Sequence, residues 1–296
     1  MSGWPNLGDL TGGGADAPVG LVGAPLGAGS VTPGRCDLAP AELRKVLRRI
    51  GLFDIEAGTE LSASIRDHGD VDVAGMTIEQ ATPPIRDSVA ASVADHRLTL
   101  VIGGNNAVTR PAVHGLAAAM EVALDEVGLI TLDAHLDMRD LTDGLGNGNP
   151  VRALIADGLP GANIAQIGLA PFANSRAMQS DAAAAGNRLI TIGDVRERGI
   201  AAAVAEALTH VAHCRVLAVD CDIDVIDRSQ FPAAPGARPG GMAAGDFFTA
   251  ARLLAADSRV ALIDLTEWDP PLDPTDLSAL TAARWLAECL SGFEAR

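Results

Sequence analysis

Two short acidic motifs, each placed directly after an apolar run, hold the residues best suited to chemistry. The first is Asp133-Ala134-His135-Leu136-Asp137 after VGLITL, and the second is Asp220-Cys221-Asp222-Ile223-Asp224 after RVLAV. Side chains along an extended strand repeat every two residues, so the alternating polar side chains of each motif point to one side. Converging carboxylates repel one another unless a cation lies between them. Together the motifs predict a divalent metal site, whereas the first motif alone also fits a solvated loop with a surface histidine.

The ligand chemistry of these motifs favours Mn²⁺. A carboxylate-rich group with one imidazole suits Mn²⁺ better than Zn²⁺, which prefers histidine and cysteine. Bridging carboxylates allow two metals ~3.5–4 Å apart, the spacing that activates a shared hydroxide. The second motif also resembles the phosphotransfer aspartate of haloacid-dehalogenase-like phosphatases. Those enzymes need a downstream lysine, and this chain has none after Lys45, which disfavours that alternative.

Two further motifs follow apolar runs and complete the candidate site. Gly103-Gly104-Asn105-Asn106 comes after LTLVI and lacks the spacing of a phosphate-binding loop, so its simplest alternative role is a tight turn that closes a strand. Thr266-Glu267-Trp268-Asp269-Pro270 comes after VALIDL. A single glutamate at a strand end is usually structural or solvated. Glu267 is predicted to face the metal cavity, where it could bind a cation.

These motifs need a scaffold that brings strand ends together. Strands are predicted over 19–22, 98–102, 127–132, 163–167, 188–192, 215–219 and 259–265, with a weaker one at 69–73. Helices are predicted over 40–50, 84–95, 109–125, 150–157, 174–185, 200–211, 245–256 and 276–290. Alternating elements with apolar strands predict an α/β fold in which helices cover both faces of a parallel sheet. Sites in such sheets form beyond the carboxyl ends of the strands, where the four motifs lie.

The domain organisation is predicted to be simple. No linker or internal repeat divides the chain, so we expect one domain over residues 18–296. Residues 1–17 are rich in Gly, Asp and Pro without periodicity, which predicts a loose N-terminal arm.

Composition narrows the classes of function. The 296 residues carry 22 basic and 38 acidic side chains, a formal charge of −16 that argues against nucleic acid and anionic lipid as partners. No apolar run approaches the ~20 residues of a membrane span, and the N-terminus does not resemble a signal peptide. The four cysteines form no CxxC pair, which is typical of reduced thiols and predicts a cytoplasmic protein. With Lys45 as the single lysine, Walker A nucleotide binding is excluded.

The four motifs, in this order, resemble those of the ureohydrolase superfamily, which contains arginases, agmatinases and formimidoylglutamases. The family signatures are roughly GGDHS, DAHxD, SxDxDxxDP and ExxP. This chain has GGNNA at 103–107, DAHLD at 133–137, VDCDIDVID at 219–227 and EWDP at 267–270, and the resemblance extends over about residues 18–293. It implies an arginase-like three-layer α/β/α domain with a parallel sheet of about eight strands. It also implies a binuclear Mn²⁺ site and a homo-oligomer of three or six chains.

The resemblance assigns the metal ligands residue by residue. Asp133 and Asp222 would bridge both metals. His135 and Asp224 would serve one metal, and Asp137 would serve the other.

Two departures from the family pattern concern histidines. Asn106 stands in the place of a histidine ligand, so the resemblance implies a neutral, weak ligand and a weaker first metal site. Asn147, in GNGNP, stands where many arginases and agmatinases carry a loop histidine that shuttles protons, which asparagine cannot do. Asp137 or a metal-bound water would therefore protonate the leaving amine, and Glu267 would hold the amidinium group. Asp137 and Glu267 are the predicted catalytic residues.

Other residues favour the formimidoylglutamase branch of the family. Arg139 follows DAHxD as in those members, although a salt bridge is its alternative role in so acidic a chain. The stretch NGNPVR at 147–152 resembles their SGTPFR, and Asp227-Arg228 resembles their DR. The predicted substrate-binding residues are Asn147, Asn149, Arg139 and Glu267.

The predicted function is Mn²⁺-dependent hydrolysis of a C–N bond in a small amidine or guanidine. The preferred substrate is N-formimidoyl-L-glutamate, which would give glutamate and formamide. One alternative is an agmatinase or guanidino-acid amidinohydrolase that releases urea. Another is a catalytically silent family member that acts as a partner subunit or ligand sensor, which the pair Asn106 and Asn147 would explain.

Overall fold

The computed structural model describes residues 4–296. The helices in this range are α1 (Leu7–Leu10), α2 (Ala39–Val46), α3 (Ile78–Asp95), α4 (Thr109–Ala119), α5 (Pro150–Asp157), α6 (Arg176–Ala185), α7 (Ile192–Arg198), α8 (Ile200–His210), α9 (Ala244–Ala255) and α10 (Leu277–Glu294). The strands are β1 (Val19–Ala24), β2 (Phe53–Asp54), β3 (Thr59–Glu60), β4 (Ile65–Asp70), β5 (Leu98–Gly103), β6 (Val127–Leu132), β7 (Ile164–Leu169), β8 (Arg188–Thr191), β9 (Val216–Asp222) and β10 (Val260–Thr266). None of the helices in this part of the chain has the length and apolar character needed to cross a membrane.

Eight of the strands form one parallel sheet in the order β4-β1-β5-β10-β9-β6-β7-β8. β2 and β3 form a separate antiparallel ribbon. Strands β1, β5, β6, β7 and β9 are buried along their whole length. Helices on both faces shield a parallel sheet from water, which explains why these strands are unbroken apolar runs rather than alternating ones. The prediction of an α/β fold with about eight parallel strands is confirmed.

The apolar core falls into two clusters, one on each side of the sheet. Leu100 and Ile130 belong to the cluster that includes apolar residues of α9 and α10. Their strand neighbours Val101 and Leu129 belong to the cluster that includes apolar residues of α3 and α4. Successive side chains of a strand face opposite sides of the sheet, so this division confirms the predicted three layers.

Two helix boundaries differ from the prediction by six residues: α4 ends at Ala119 rather than at 125, and α3 begins before the predicted 84–95. Its true start is a capping box in which Thr77 accepts from the backbone of Gln80 and Gln80 binds the backbone of Thr77 in return. Pro83 and Pro84 lie inside the helix rather than at its start. Proline is common in the first turn of a helix, so a proline inside a helix, such as Pro84, resembles a start signal.

The predicted loose arm over 1–17 is wrong for the described residues 4–17. Asn6 caps the short helix α1, and Leu7 is fully buried in the core. The Leu7 amide donates to the Ile50 carbonyl at 3.0 Å, and the Gly13 amide donates to the Ile65 carbonyl at 2.9 Å. A single buried leucine produces no periodic pattern, so the packing of Leu7 against the core could not be predicted from the sequence. Residues 1–3 of the predicted arm lie outside the described residues.

Strand β4 lies at Ile65–Asp70 rather than at the predicted 69–73. It is an edge strand whose residues after Ile65 are partly buried or, at Asp70, exposed. Its sequence is correspondingly polar, so apolar periodicity could not locate it.

Candidate metal centre

The four motifs meet at the carboxyl ends of the central strands. Asp133 directly follows β6, Asp222 is the last residue of β9, and Glu267 directly follows β10. Thr266 pairs with Asp222, and Leu132 pairs with the neighbouring Cys221, so these three strand ends are level with one another. The loop after β5 delivers Asn106 to the same edge. The sheet order therefore brings together residues that are far apart in the chain.

Five polar side chains form two overlapping groups with the spacing of metal ligands. One group is Asp133, His135 and Asp224, and the other is Asp133, Asp137 and Asp222. Within each group the candidate ligand atoms all lie within 4.8 Å of one another. The four aspartates are buried, and only His135 is partly open to solvent. Asp133 belongs to both groups, as expected of a bridging carboxylate, whereas Asp222 belongs to one.

The electrostatics of this cluster call for positive charge. Burial raises the pKa of Asp133 to about 6 and, together with the Asp133 charge, raises the pKa of Asp137 well above its usual range. Burial opposes a charge on His135, yet the Asp224 carboxylate, whose Oδ2 lies 3.0 Å from His135 Nδ1, raises the His135 pKa to about 12. Asp133 Oδ2 and Asp224 Oδ1 are buried and have no hydrogen-bond partner among the described residues. Orphaned carboxylate oxygens next to an imidazole are a donor set that fits Mn²⁺.

Of the four non-glycine residues with positive φ in the described chain, two lie at this site. Asp137 has φ +50° and Glu267 has φ +62°, and both values fall in the left-handed region that side chains other than glycine seldom occupy. Such a backbone conformation costs on the order of 1–3 kcal/mol per residue, and it persists only where the surrounding structure holds the residue in it. The strain turns both carboxylates away from the path that a continuing strand would give them.

Glu267 is held in place by two N–H groups. Its Oε1 accepts from the Asn106 amide at 2.8 Å and from Asn147 Nδ2 at 2.9 Å. Its own amide donates to the Gly104 carbonyl at 2.9 Å. Burial raises the pKa of Glu267 to about 7, and the two hydrogen bonds limit that rise. Oε2 accepts no hydrogen bond within residues 4–296, so it is the atom left to meet a ligand.

The predicted ligand role of Asn106 is contradicted by its side-chain orientation. Asn106 Oδ1, the atom that could bind a metal, accepts from the hydroxyls of Thr109 at 2.8 Å and Thr266 at 2.9 Å. Its Nδ2 instead faces the acids, 2.5 Å from Asp137 Oδ2 and 3.4 Å from Asp220 Oδ2. An amide nitrogen donates to carboxylates and does not coordinate metals. Asn106 therefore orients Asp137 and is not a ligand in this arrangement.

The two asparagines of the 146–150 loop have different roles. Asn147 bridges the site, because its Nδ2 donates to Glu267 and its Oδ1 accepts from the Val31 amide at 2.9 Å. Asn149 uses its whole amide inside the loop, where it binds the backbone of Asp140, Gly144 and Gly146. This engagement contradicts the predicted substrate contact of Asn149, which is a loop-forming residue.

Arg139 lies beside this loop with its guanidinium unengaged. The position where a β-carbon of Gly148 would sit is 2.6 Å from Arg139 Cδ, so the side chain runs along the glycine backbone. Arg139 is exposed, and no acid of the described chain lies within salt-bridge distance of it. Arg152, which lies in α5, is instead paired with Asp181. The predicted salt bridge of Arg139 is therefore absent from residues 4–296.

Two groups that the sequence analysis did not place also support the cluster. A β-carbon at Gly236 would lie 1.9 Å from Asp224 Oδ2 and 3.1 Å from His135 Cε1, so only glycine lets this loop approach the ligands. Asp264 on β10 pairs in register with Asp220 on β9, and both are buried behind the cluster. Burial raises the pKa of Asp264 to about 7 and that of Asp220 well above its usual range. The charged residue inside VALIDL was the sequence signal for this pair.

Comparisons with known proteins agree with this architecture. The model of the arginase family matches residues 17–292. A formimidoylglutamase from Halalkalibacterium halodurans is 30% identical over 279 residues, which span 92% of this chain and 86% of that protein. The crystal structure of formimidoylglutamase from Bacillus subtilis has a TM-score of 0.91 at 28% identity and covers 98% of this chain and 92% of its own. A structure of Trypanosoma cruzi formiminoglutamase with Mn²⁺ has a TM-score of 0.90 at 24% identity, covers 99% of each chain, and shows the likeness of fold.

The family match spans the sheet, the acidic motifs and Glu267, and its relatives share nearly the full length of the chain. The motif order that suggested a ureohydrolase is thus borne out by sequence and by structure. The chain belongs to the arginase family.

Proposed function

We propose that this protein is a Mn²⁺-dependent hydrolase that converts N-formimidoyl-L-glutamate and water to glutamate and formamide. The observation that carries the proposal is the pair of overlapping ligand groups with Glu267 held beside them. The substrate class follows from the formimidoylglutamases to which the chain is similar over 92% of its length. The reaction breaks the bond between the amidine carbon and the glutamate nitrogen, and that nitrogen gains a proton.

The proposed ligands are Asp133, His135 and Asp224 for one metal, and Asp133, Asp137 and Asp222 for the other. The resemblance to the ureohydrolase family makes Asp222 a second bridging ligand, and that role is kept as part of this proposal. A bound metal pair supplies a water of lowered pKa at neutral pH and stabilises negative charge on the reacting centre. Asn106 turns its nitrogen toward Asp137, so we expect the Asp137 site to bind its metal more weakly than the His135 site.

The remaining residues bind, orient and move protons. Glu267 presents Oε2 to the amidinium group while Asn106 and Asn147 hold Oε1. Asp137 is the proposed carrier of the proton for the leaving amine, because it lies in the cluster beside Asp133 and Asp222 and no loop histidine is available for that role. Arg139 is proposed to bind a carboxylate of the substrate, since its guanidinium has no acidic partner among the described residues.

The first experiment measures Mn²⁺ per chain after dialysis, followed by separate assays for formamide and urea. About two ions per chain and formamide release are expected. About one ion per chain, with activity that rises on adding Mn²⁺, would indicate that the Asp137 site binds its metal weakly. Urea from agmatine or a guanidino acid would favour the alternative hydrolase. Bound metal without either product would favour the silent family member, and no bound metal would refute the site itself.

The predicted homo-oligomer and cytoplasmic location stay predictions. All four cysteines are free and buried in this structure. Sizing the purified protein by light scattering would test the predicted trimer or hexamer.

A further inference from the structure

The loop after β7, residues 170–175, is hydrogen-bonded to the turn that carries the metal ligands. Asn174 Oδ1 accepts from the Leu136 amide at 2.7 Å, and Asn174 Nδ2 donates to the Ala134 carbonyl at 3.0 Å. The Ala170 amide donates to the same Ala134 carbonyl at 2.9 Å. One asparagine side chain therefore bonds the residues on both sides of His135, and Gln166 Nε2 adds a bond to the Leu136 carbonyl at 3.1 Å.

We propose that Asn174 is a positioning residue that holds the Asp133–Asp137 turn in the conformation that binds metal. Its side-chain amide bonds the Ala134 carbonyl and the Leu136 N–H, which lie two residues apart. A neighbouring strand would make the same pair of bonds, but β6 has already ended at Leu132. Without it, nothing else in the described chain accepts from the Leu136 amide. The bonds from Gln166 and Ala170 to carbonyls of the turn would remain, but the turn would hold His135 less firmly toward Asp224. The inference rests on the proposed metal-dependent function.

An independent feature of the same loop supports this role. Phe172 has φ +61° and is fully exposed, so a bulky side chain occupies a strained conformation with no packing to offset it. The loop is anchored before Phe172 by Ala170 and after it by Asn174. Ser175 then caps α6 by accepting from the Met178 amide at 3.1 Å. The strained conformation at Phe172 therefore accompanies the path of the loop that brings Asn174 to the Asp133–Asp137 turn.

The neutral amide is the chemistry that this position needs. An aspartate could accept from Leu136 but would face the Ala134 carbonyl and add a charge beside the cluster. Leucine matches the shape of asparagine and removes both hydrogen bonds without leaving a cavity. Partners that orient metal ligands typically change metal affinity by 10- to 100-fold when they are removed.

The test compares Asn174→Leu and Asn174→Ala with the wild-type protein, using Mn²⁺ alone as the ligand. Affinity is measured by competition with a chelator, and the melting temperature is recorded without metal. We expect about 10- to 100-fold weaker Mn²⁺ binding in both variants. At saturating Mn²⁺ we expect kcat within a few-fold of wild type, because the ligands themselves are intact. A purely structural role would instead lower the metal-free melting temperature and leave the affinity of the folded protein unchanged.

Phe172→Asn is the matched control, because it changes the strained residue of the same loop and spares both hydrogen bonds. Asparagine tolerates positive φ, so this variant should bind Mn²⁺ as the wild type does. Affinities of the two Asn174 variants within twofold of wild type would overturn the inference. Wild-type protein that binds Mn²⁺ but does not hydrolyse formimidoylglutamate would overturn the proposed function and leave the positioning role standing.

Discussion

Replacing Asn147 with alanine should change the pH range in which the enzyme works. Asn147 Nδ2 donates to Glu267 Oε1 at 2.9 Å, and this bond stabilises the ionised carboxylate. Burial raises the pKa of Glu267 to about 7, and the Asn147 hydrogen bond is one of the contacts that keep it from rising further. Because the amidinium group needs a negative Glu267, the variant should need a higher pH to reach the same charge state.

The size of the shift follows from the one bond that is lost. A hydrogen bond to a charged group contributes about 1.5–3 kcal/mol, and each pKa unit corresponds to about 1.4 kcal/mol, which sets an upper range of about one to two units. Asn147 is only partly buried, so water recovers part of the bond, and we expect about one unit. Well below the Glu267 pKa, the rate of Asn147→Ala should fall about tenfold. At high pH it should stay within a few-fold of the wild-type rate.

The assay is kcat/KM for formamide release as a function of pH at saturating Mn²⁺. Asn149→Ala is the control, because Asn149 binds only backbone groups of the same loop. That variant should be less stable, but its kcat/KM should fall at low pH over the same pH range as that of the wild type (the acid limb of the pH profile). If the acid limb of Asn147→Ala coincides with that of the wild type, or if both variants move it equally, then Asn147 does not hold Glu267 in its ionised form.

Three further predictions follow from the same structure. Glu267→Gln should abolish turnover but keep the circular dichroism spectrum and the Mn²⁺ content; full activity would disprove its role. Chelation should lower the melting temperature by several degrees, because Mn²⁺ at 100 times its Kd stabilises the fold by about 2.7 kcal/mol; an unchanged melting temperature would contradict the metal cluster. Asp273 accepts from Ser278 and Thr275, which overcome the effect of burial and lower its pKa to about 2. Since the pKa of Asp273 is lower in the folded protein than in the unfolded chain, its contribution to the free energy of unfolding should be complete above about pH 4 and lost as pH falls toward 2. Urea unfolding of Asp273→Asn should therefore differ from wild type by roughly 2 kcal/mol at pH 7 and by less at pH 3.

Unbroken apolar runs predicted the strands of the sheet, because the strands of a parallel sheet covered by helices on both faces are apolar along their whole length. Strand β6 was predicted at its exact bounds, and the strands that carry the other motifs were found within one to three residues. The candidate ligands were chosen by residue type at strand ends, and the structure brings five of them together. The assumption of a continuing strand was less accurate, because β6 ends at Leu132 and Asp137 has φ +50°. His135 consequently groups with Asp224, while Asp137 groups with Asp222.

The errors at the site arise from contacts between distant parts of the chain. Asn106 turns its nitrogen to the acids because the hydroxyls of Thr109 and Thr266 take its oxygen, and Thr266 lies on another strand. The loop role of Asn149 depends on three backbone groups that only the folded loop brings within reach. No spacing rule contains this information, so the residue types were predicted but the direction of their side chains was not.

The N-terminal segment also affects how the molecule avoids aggregation. β4 is one edge of the sheet, and an exposed edge can pair with another chain. Gly12 forms an antiparallel bridge with Arg66, and the Gly13 amide donates to Ile65, so the segment covers part of that edge. The opposite edge, β8, is only four residues long and offers little to pair with. Expression of a chain that begins at residue 18 would expose the β4 edge, and such a shortened protein is expected to associate through it.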